Sequence, residues 1–311
     1  MVTPAPHAAT TEPADVVRVA ARAWERDRYL AALLAAASVR ADLIALAAFA
    51  GEVARIPGYV SEPMLGEIRL QWWRDALDRM VAGEGGPANT IGHPIADALG
   101  AVIARHGLPI GLLHGLVDAH AARLVDTPFA DEAALRANLA ASEGALFELA
   151  ARVLGAQPAD LPPDLMAAAA HSYGLARLLI ELPATLAEHR CLLPVDKLAG
   201  HGVSIDQLRQ GEGLAGLGRV VGEVAAGAAT EVAGIEGGWR ALPRSVRAAL
   251  LPVALVRPYL KACEGWASCS LATRIGIKTG GANAAAWDRV EDIAPLTRVW
   301  RLWMAHRLGL R

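Results

Sequence analysis

The chain has 311 residues, of which 54% are hydrophobic and 20% are charged, so it can bury a substantial apolar core. This composition excludes an intrinsically disordered chain, a collagen-like chain and a small disulfide-bonded scaffold. The 30 basic and 32 acidic side chains give a formal net charge of -2, so no overall positive charge favours binding to nucleic acid.

The elements predicted along the chain are all helices. Residues 1–14 lack the basic and apolar regions of a signal peptide and are predicted to be a disordered tail, followed by a single domain over residues 15–311. Apolar residues recur with the period of a helix, at about 3.6 residues, and predict an all-α protein of about ten helices. The segments run from Val16 to Ala37, Ala41 to Val53, Pro63 to Val81, Ile95 to Arg105, Ile110 to Leu124, Glu132 to Leu154, Asp164 to Glu188, Ile205 to Gln210, Leu217 to Ile235, Pro243 to Trp266 and Ile293 to Arg311. No apolar run reaches the roughly 18 residues that a membrane span requires.

The three cysteines, Cys191, Cys263 and Cys269, are too few for a disulfide framework and lack the paired spacing of a zinc site. We interpret them as buried thiols. The expected location is therefore the reducing cytoplasm.

Several short motifs resemble ligand sites without predicting one. Gly211–Gly216 matches G-x-G-x-x-G, but it follows a polar helical segment and not the strand of a dinucleotide site. His114 and Asp118, with His120 nearby, could share a helix face and touch one metal ion. Surface polar residues on an amphipathic helix are the favoured interpretation of these side chains.

A helix rich in aromatic and ionic side chains stands out from its alanine-rich surroundings. The segment SEPMLGEIRLQWWRDAL over residues 61–77 carries Trp73 beside Arg74. With EGALFELAARVLG at 143–155, HSYGLARLL at 171–179 and HRCLLPVDKLAGHG at 189–202, it resembles the squalene/phytoene synthase family. The resemblance implies an isoprenoid-synthase-like helical bundle around a central apolar cavity that holds two prenyl diphosphates.

Catalysis in that family depends on two aspartate-rich helical motifs that face each other. Carboxylates four residues apart share a helix face and bind Mg²⁺, which neutralises the departing diphosphate. The positions that align with the first motif are Ala54, Arg55 and Gly58, and those of the second are Thr185 and His189. The D-x-x-x-D spacing recurs at 160–164, where two prolines exclude a helical face, and at 288–292, which we interpret as a helix start.

Two functional hypotheses follow from this resemblance. The first is a non-catalytic protein that binds a prenyl or isoprenoid lipid or assists assembly of a respiratory membrane complex, similar to the complex I assembly factor branch of the family. It requires no cofactor and no metal ligand. The alternative is an active prenyl transferase with a rearranged, Mg²⁺-dependent site, in which glutamates and arginines surround diphosphate. The residues assigned to that site are Glu52, Arg55, Arg177, Glu181, Glu188 and Arg190.

The candidate residues for the cavity or a diphosphate site also include three outside that set. These are Trp73, Arg74 and Tyr173. No catalytic residue is assigned.

The last predicted helix has two interpretations. Over residues 296–311, Val299, Trp300, Trp303 and Met304 are predicted on one side, with Arg298 and Arg301 opposite. Such a helix can lie on a membrane surface, which would make the protein peripheral to the inner membrane. The favoured interpretation is that the apolar side closes the core of the domain.

Overall fold

A computed structural model gives the structure of residues 12–60, 62–82, 90–125, 128–188, 190–264 and 293–310. These ranges contain helices and no strand, so the predicted all-α class is confirmed. The helices are α1 (Pro13–Trp24), α2 (Arg26–Leu33), α3 (Ala37–Tyr59), α4 (Pro63–Ala82), α5 (Pro94–His106), α6 (Ile110–Ala121), α7 (Glu132–Leu139), α8 (Ala145–Val153), α9 (Pro163–Ala187), α10 (Val195–Gly200), α11 (Ile205–Arg209), α12 (Leu214–Gly238), α13 (Arg244–Ala249), α14 (Val256–Glu264) and α15 (Pro295–Leu308). None of these helices is long and apolar enough to cross a membrane.

One apolar core lies among α1, α3, α4, α5 and α6. The ring of Trp73 on α4 packs edge-on against Phe49 on α3, with centroids 5.1 Å apart, and both side chains are buried. Helices α1 and α3 approach closely because position 51 is a glycine. A Cβ atom on Gly51 would lie 2.6 Å from the Cβ atom of Trp24.

A second apolar core surrounds α9, which packs against α12 and α14. Tyr173 and Leu179 on α9 are completely buried, as are Leu217 and Val220 on α12. Cys191 and Cys263 are buried thiols, as predicted, whereas Cys269 lies outside the described residues.

Two predicted helices are interrupted where a carboxylate turns into the interior. The segment predicted from Val16 to Ala37 is broken at Glu25, whose backbone leaves the helical region so that its side chain turns inward. The segment predicted from Glu132 to Leu154 is divided by a π-helical turn at Ala140–Gly144, and the extra residue of that turn carries Glu143 inward. Helix α3 continues beyond the predicted end at Val53 to Tyr59, with Pro57 in its last turn.

The ends of the chain also differ from the prediction. Helix α1 begins at Pro13, within the predicted tail, and residues 1–11 lie outside the described residues. Helix α15 docks through Arg298, Leu302 and Ala305, which are buried. The prediction that the apolar side of this helix closes the core was wrong, because Val299, Trp300 and Trp303 are exposed.

Candidate functional site

An apolar cavity of about 380 Å³ lies between the two cores. Helices α2, α3, α8 and α13 line it, and many of their side chains there are alanines, which leave the space open. Buried Ala32 and Ala47 lie within it, and Arg28 lies at its polar inner wall. The exposed lining residues Arg244 and His306 mark where it opens to solvent, between α13 and α15. This cavity corresponds to the apolar cavity that the resemblance implied.

Beside the cavity, three buried side chains, Glu25, Arg28 and Glu143, form an ion-pair cluster with the partly buried Arg177, and we call these four residues the ion quartet. Arg28 donates to Glu25 at 2.9 Å and to Glu143 at 2.5 Å. Arg177 donates to Glu25 at 2.7 Å and lies 3.5 Å from Glu143. The two carboxylates and two guanidiniums balance each other in charge, which is the condition for keeping ions in a low-dielectric interior.

The ion quartet shifts the ionisation of its members. Burial opposes the charge on Glu143, but Arg28 and Arg177 outweigh it and lower the pKa of this carboxyl to about 2. Burial likewise opposes the charge on Arg28, and the attraction of Glu143 and Glu25 overcomes it, so that the pKa of this guanidinium rises. Glu143 and the two guanidiniums therefore remain charged at neutral pH.

A second, smaller cavity of about 80 Å³ adjoins the quartet, and we call it the polar chamber. Ala50 and Ala54 of α3 line it on one side, and Glu181 and Thr185 of α9 are among its lining residues on the other. Under the family resemblance, the two aspartate-rich motifs would face each other across this position. Here α3 offers two methyl groups, and His189 of the second motif lies outside the described residues.

Two nitrogen-bearing side chains complete the polar chamber. His120 is buried, contrary to its interpretation as a surface residue, and its Nδ1 atom has no hydrogen-bond partner among the described residues. Burial lowers the pKa of His120 to about 3, so its ring is neutral at pH 7. The Nε atom of Arg123 likewise has no hydrogen-bond partner in the described part of the chain, and burial lowers the pKa of this guanidinium.

The side chains of the polar chamber do not fit a Mg²⁺ ion. Magnesium binds through carboxylate and water oxygens in a near-octahedral arrangement. The carboxylate of Glu143 is bonded to Arg28, and Glu181 lies 3.7 Å from Arg177. Across the ranges that the structure describes, no group of three or more histidine, cysteine or acidic side chains could hold a metal ion.

A further buried cluster ties the end of the chain to its beginning. Asp27 accepts hydrogen bonds from the hydroxyls of Tyr173 and Tyr259, at 2.8 and 2.6 Å. The Nε atom of Arg298 donates to the other Asp27 oxygen at 2.7 Å. This cluster explains why α15 turns an arginine inward and its tryptophans outward.

The structure gathers only some of the predicted candidates. Arg177 and Glu181 line the polar chamber, and Tyr173 lies directly behind it. Glu52 and Arg55 pair with each other at 2.9 Å and line a separate groove. Trp73, although mostly buried, also lines that groove.

The remaining candidates lie away from the apolar cavity. Arg74 bonds Glu67 and Asp118 at the surface, and it lines neither the apolar cavity nor the polar chamber. Glu188 lies 3.8 Å from Arg190, whose guanidinium donates to the carbonyl oxygens of Pro57 and Arg123. The six residues assigned to the rearranged transferase site therefore do not form one cluster.

The sequence reasoning missed the ion quartet's acids and the Asp27 cluster. Glu143 begins the segment 143–155 that carried the resemblance, whereas Glu25 and Asp27 precede the segments quoted for it. A usable signal was Glu143, a charged residue on the apolar face of its predicted helix. His114 and Asp118, which could have shared a metal, instead bond Asp78 and Arg74 respectively.

Comparison with known proteins places these features in a family. The family model for squalene/phytoene synthase matches residues 21–265. The chain is 27% identical over 243 residues to mouse "NADH dehydrogenase (ubiquinone) complex I, assembly factor 6", covering 77% of this chain and 70% of that protein. It is 31% identical over 205 residues to the "Bifunctional protein CrtB/UppS" of Streptomyces coelicolor, covering 64% and 34% of the two chains. The fold resembles that of squalene synthase HpnC from Alicyclobacillus acidocaldarius, with a TM-score of 0.64, 18% identity and coverage of 83% and 92%.

Proposed function

The chain belongs to the squalene/phytoene synthase family, and on this premise we propose that it is a non-catalytic member that holds an isoprenoid-like lipid and assists assembly of a respiratory membrane complex. Under this proposal it works without Mg²⁺ in the cytoplasm, at the periphery of the inner membrane.

The observation that carries the non-catalytic part is the charge balance around the polar chamber. Ionisation of a prenyl diphosphate needs cations that are available to the leaving group and carboxylates that are available to a metal. Arg28 and Arg177 are instead committed to Glu25 and Glu143 in the ion quartet. Ala54 and Thr185 supply no carboxylate to the chamber.

The apolar cavity supports the lipid part of the proposal. Its volume of about 380 Å³ falls within the range of small-molecule pockets. Alanine and leucine side chains dominate its lining, and its polar groups are Arg28 beside the ion quartet and Arg244, Ser245 and His306 at the opening. A long apolar tail with a polar head matches this distribution.

The assembly part rests on the relatives. The mouse protein is named an assembly factor of complex I, and its likeness extends over most of both chains. We carry that role to this chain as part of the proposal.

The test uses purified full-length protein. Bound lipid is extracted and identified by mass spectrometry, and diphosphate release from farnesyl and geranylgeranyl diphosphate is followed with and without Mg²⁺. We expect a co-purified prenyl lipid and no diphosphate release. Metal-dependent release that is abolished by Glu181→Gln would overturn the proposal in favour of a rearranged transferase.

A matched pair of variants locates the lipid. Ala32→Phe places a ring in the cavity from a buried position on α2, whereas Ala133→Phe adds the same ring at an exposed position on α7. We expect the first variant to lose the bound lipid and the second to retain it. Equal lipid content in both folded variants would show that the lipid lies elsewhere.

A further inference from the structure

Helix α15 presents an apolar stripe to solvent. With Arg298, Leu302 and Ala305 turned inward, Leu296 is 82% exposed and Trp300 is 58% exposed. Val299 and Trp303 are also exposed. The rings of Trp300 and Trp303 stack on each other with centroids 5.4 Å apart. Exposed apolar side chains grouped in this way mark an interaction surface.

The stripe leads to the mouth of the apolar cavity. His306 lies three residues beyond Trp303 and seven beyond Val299, so the three share one face of the helix. His306 also lines the cavity, together with exposed Arg244 of α13. A surface that covers the stripe therefore also meets the cavity opening.

The charge along α15 itself is positive. Residues 293–310 contain no aspartate or glutamate. Arg307 is exposed on α15, and Arg298 is paired with Asp27. Tryptophan rings with arginines beside them are typical of helices that lie in the headgroup region of an anionic bilayer.

We propose that the stripe Leu296, Val299, Trp300 and Trp303 docks this protein on the surface of a bilayer that contains anionic lipid, with the cavity mouth facing the headgroups. The proposal assigns a surface to the peripheral location in the proposed function. The docking is argued from the exposed helix face, and the passage of a lipid through the mouth rests on the proposed lipid binding.

The test measures co-sedimentation of the full chain with phosphatidylcholine vesicles that contain or lack phosphatidylglycerol. We expect binding that requires phosphatidylglycerol and weakens as salt is added. Val299→Glu should reduce this binding about tenfold or more, because it places a negative charge within the docking face. Ile68→Glu makes a similar change at an exposed position on α4 and should leave binding unchanged.

A second pair guards against variants that fail to fold. Trp303→Ser should weaken vesicle binding, and Met64→Ser on α4 is its control, because both side chains are exposed. Absence of binding by the wild-type protein, or equal losses in the stripe and control variants, would overturn the proposal and favour a protein partner for this face.

The two proposals can fail separately. If the purified protein holds no lipid but its vesicle binding is still abolished by Val299→Glu, the proposed function fails and the docking face stands. If Ala32→Phe empties the cavity while vesicles bind no folded form of the protein, the docking proposal fails and the lipid site stands.

Discussion

The ion quartet makes a strong prediction about stability. Glu143→Gln removes one buried charge with little change in shape, and it leaves Arg28 and Arg177 to share Glu25, at 2.9 and 2.7 Å. The buried Arg28 then has only Glu25 as a counter-charge, and it shares that carboxylate with Arg177. Breaking a buried ion pair in this way costs about 3 to 5 kcal/mol, so we expect the free energy of unfolding to fall by that amount.

Urea unfolding at pH 7 measures this loss, provided that the slope of the unfolding free energy against urea concentration is the same in the wild type and the variant. Glu67→Gln is the control, because Glu67 also bonds an arginine, at 2.7 Å, but its side chain is 52% exposed. An exposed pair is worth about 1 kcal/mol or less. Equal losses in the two variants would refute the conclusion that the quartet is a buried, charge-balanced unit.

Compensation within the quartet provides a second check. Arg28→Met alone removes the arginine that pairs with the Glu143 carboxylate. The double variant Arg28→Met, Glu143→Leu removes both partners and leaves Glu25 paired with Arg177. We expect the double variant to lower the free energy of unfolding by about 2 kcal/mol less than the sum of the two single changes.

The pH dependence has a definite sign. The pKa of Glu143 is about 2 in the folded protein, against an ordinary value of 4.5, so its ionised form favours folding. That contribution is fully present above about pH 4.5 and is lost as the pH falls toward 2. The difference in stability between wild type and Glu143→Gln should therefore shrink as the pH is lowered through this window. A difference that stays constant would mean that Glu143 is not ionised in the folded protein.

Three further predictions concern α15, the packing of α9 and the polar chamber. Arg298→Met removes the arginine that pairs with buried Asp27, so it should lower the free energy of unfolding by about 3 kcal/mol and speed amide hydrogen exchange across residues 295–308. Gly174→Ala should lower the melting temperature, because its Cβ atom would lie 2.5 Å from a methyl carbon of Leu139, whereas Gly227→Ala meets nothing and should raise it. His120, whose pKa is about 3, should show no NMR titration between about pH 5 and 8.

Much of the fold could be predicted from the sequence because local periodicity reports which face of a helix is buried. The segments predicted for α5, α9 and α12 agree with the structure to within a few residues. The interruption at Glu25 could not be predicted in this way, because its partner Arg177 lies 152 residues away. A pattern confined to one turn carries no information about such a partner.

The orientation of α15 shows the same limit more sharply. Its amphipathic pattern favours burying Trp300 and Trp303, and a helix considered alone would dock on that side. The carboxylate of Asp27, with the hydroxyl of Tyr259, instead selects Arg298 for the interior. An unpaired buried carboxylate costs several kcal/mol, which exceeds the gain from covering part of a tryptophan that is already half shielded by its neighbour.

The candidate site was only partly predictable for a related reason. Family resemblance located the polar chamber through α3 and α9, but the identity of the balancing charges depends on Glu25 and Glu143, which come from other elements. Buried carboxylates can be balanced by a metal ion or by guanidiniums. Arginine remains protonated at every physiological pH, so a centre closed by Arg28 and Arg177 is charge-balanced without any ligand. Under the proposed function, the fold is therefore complete before a lipid enters, and lipid binding draws only on the apolar cavity.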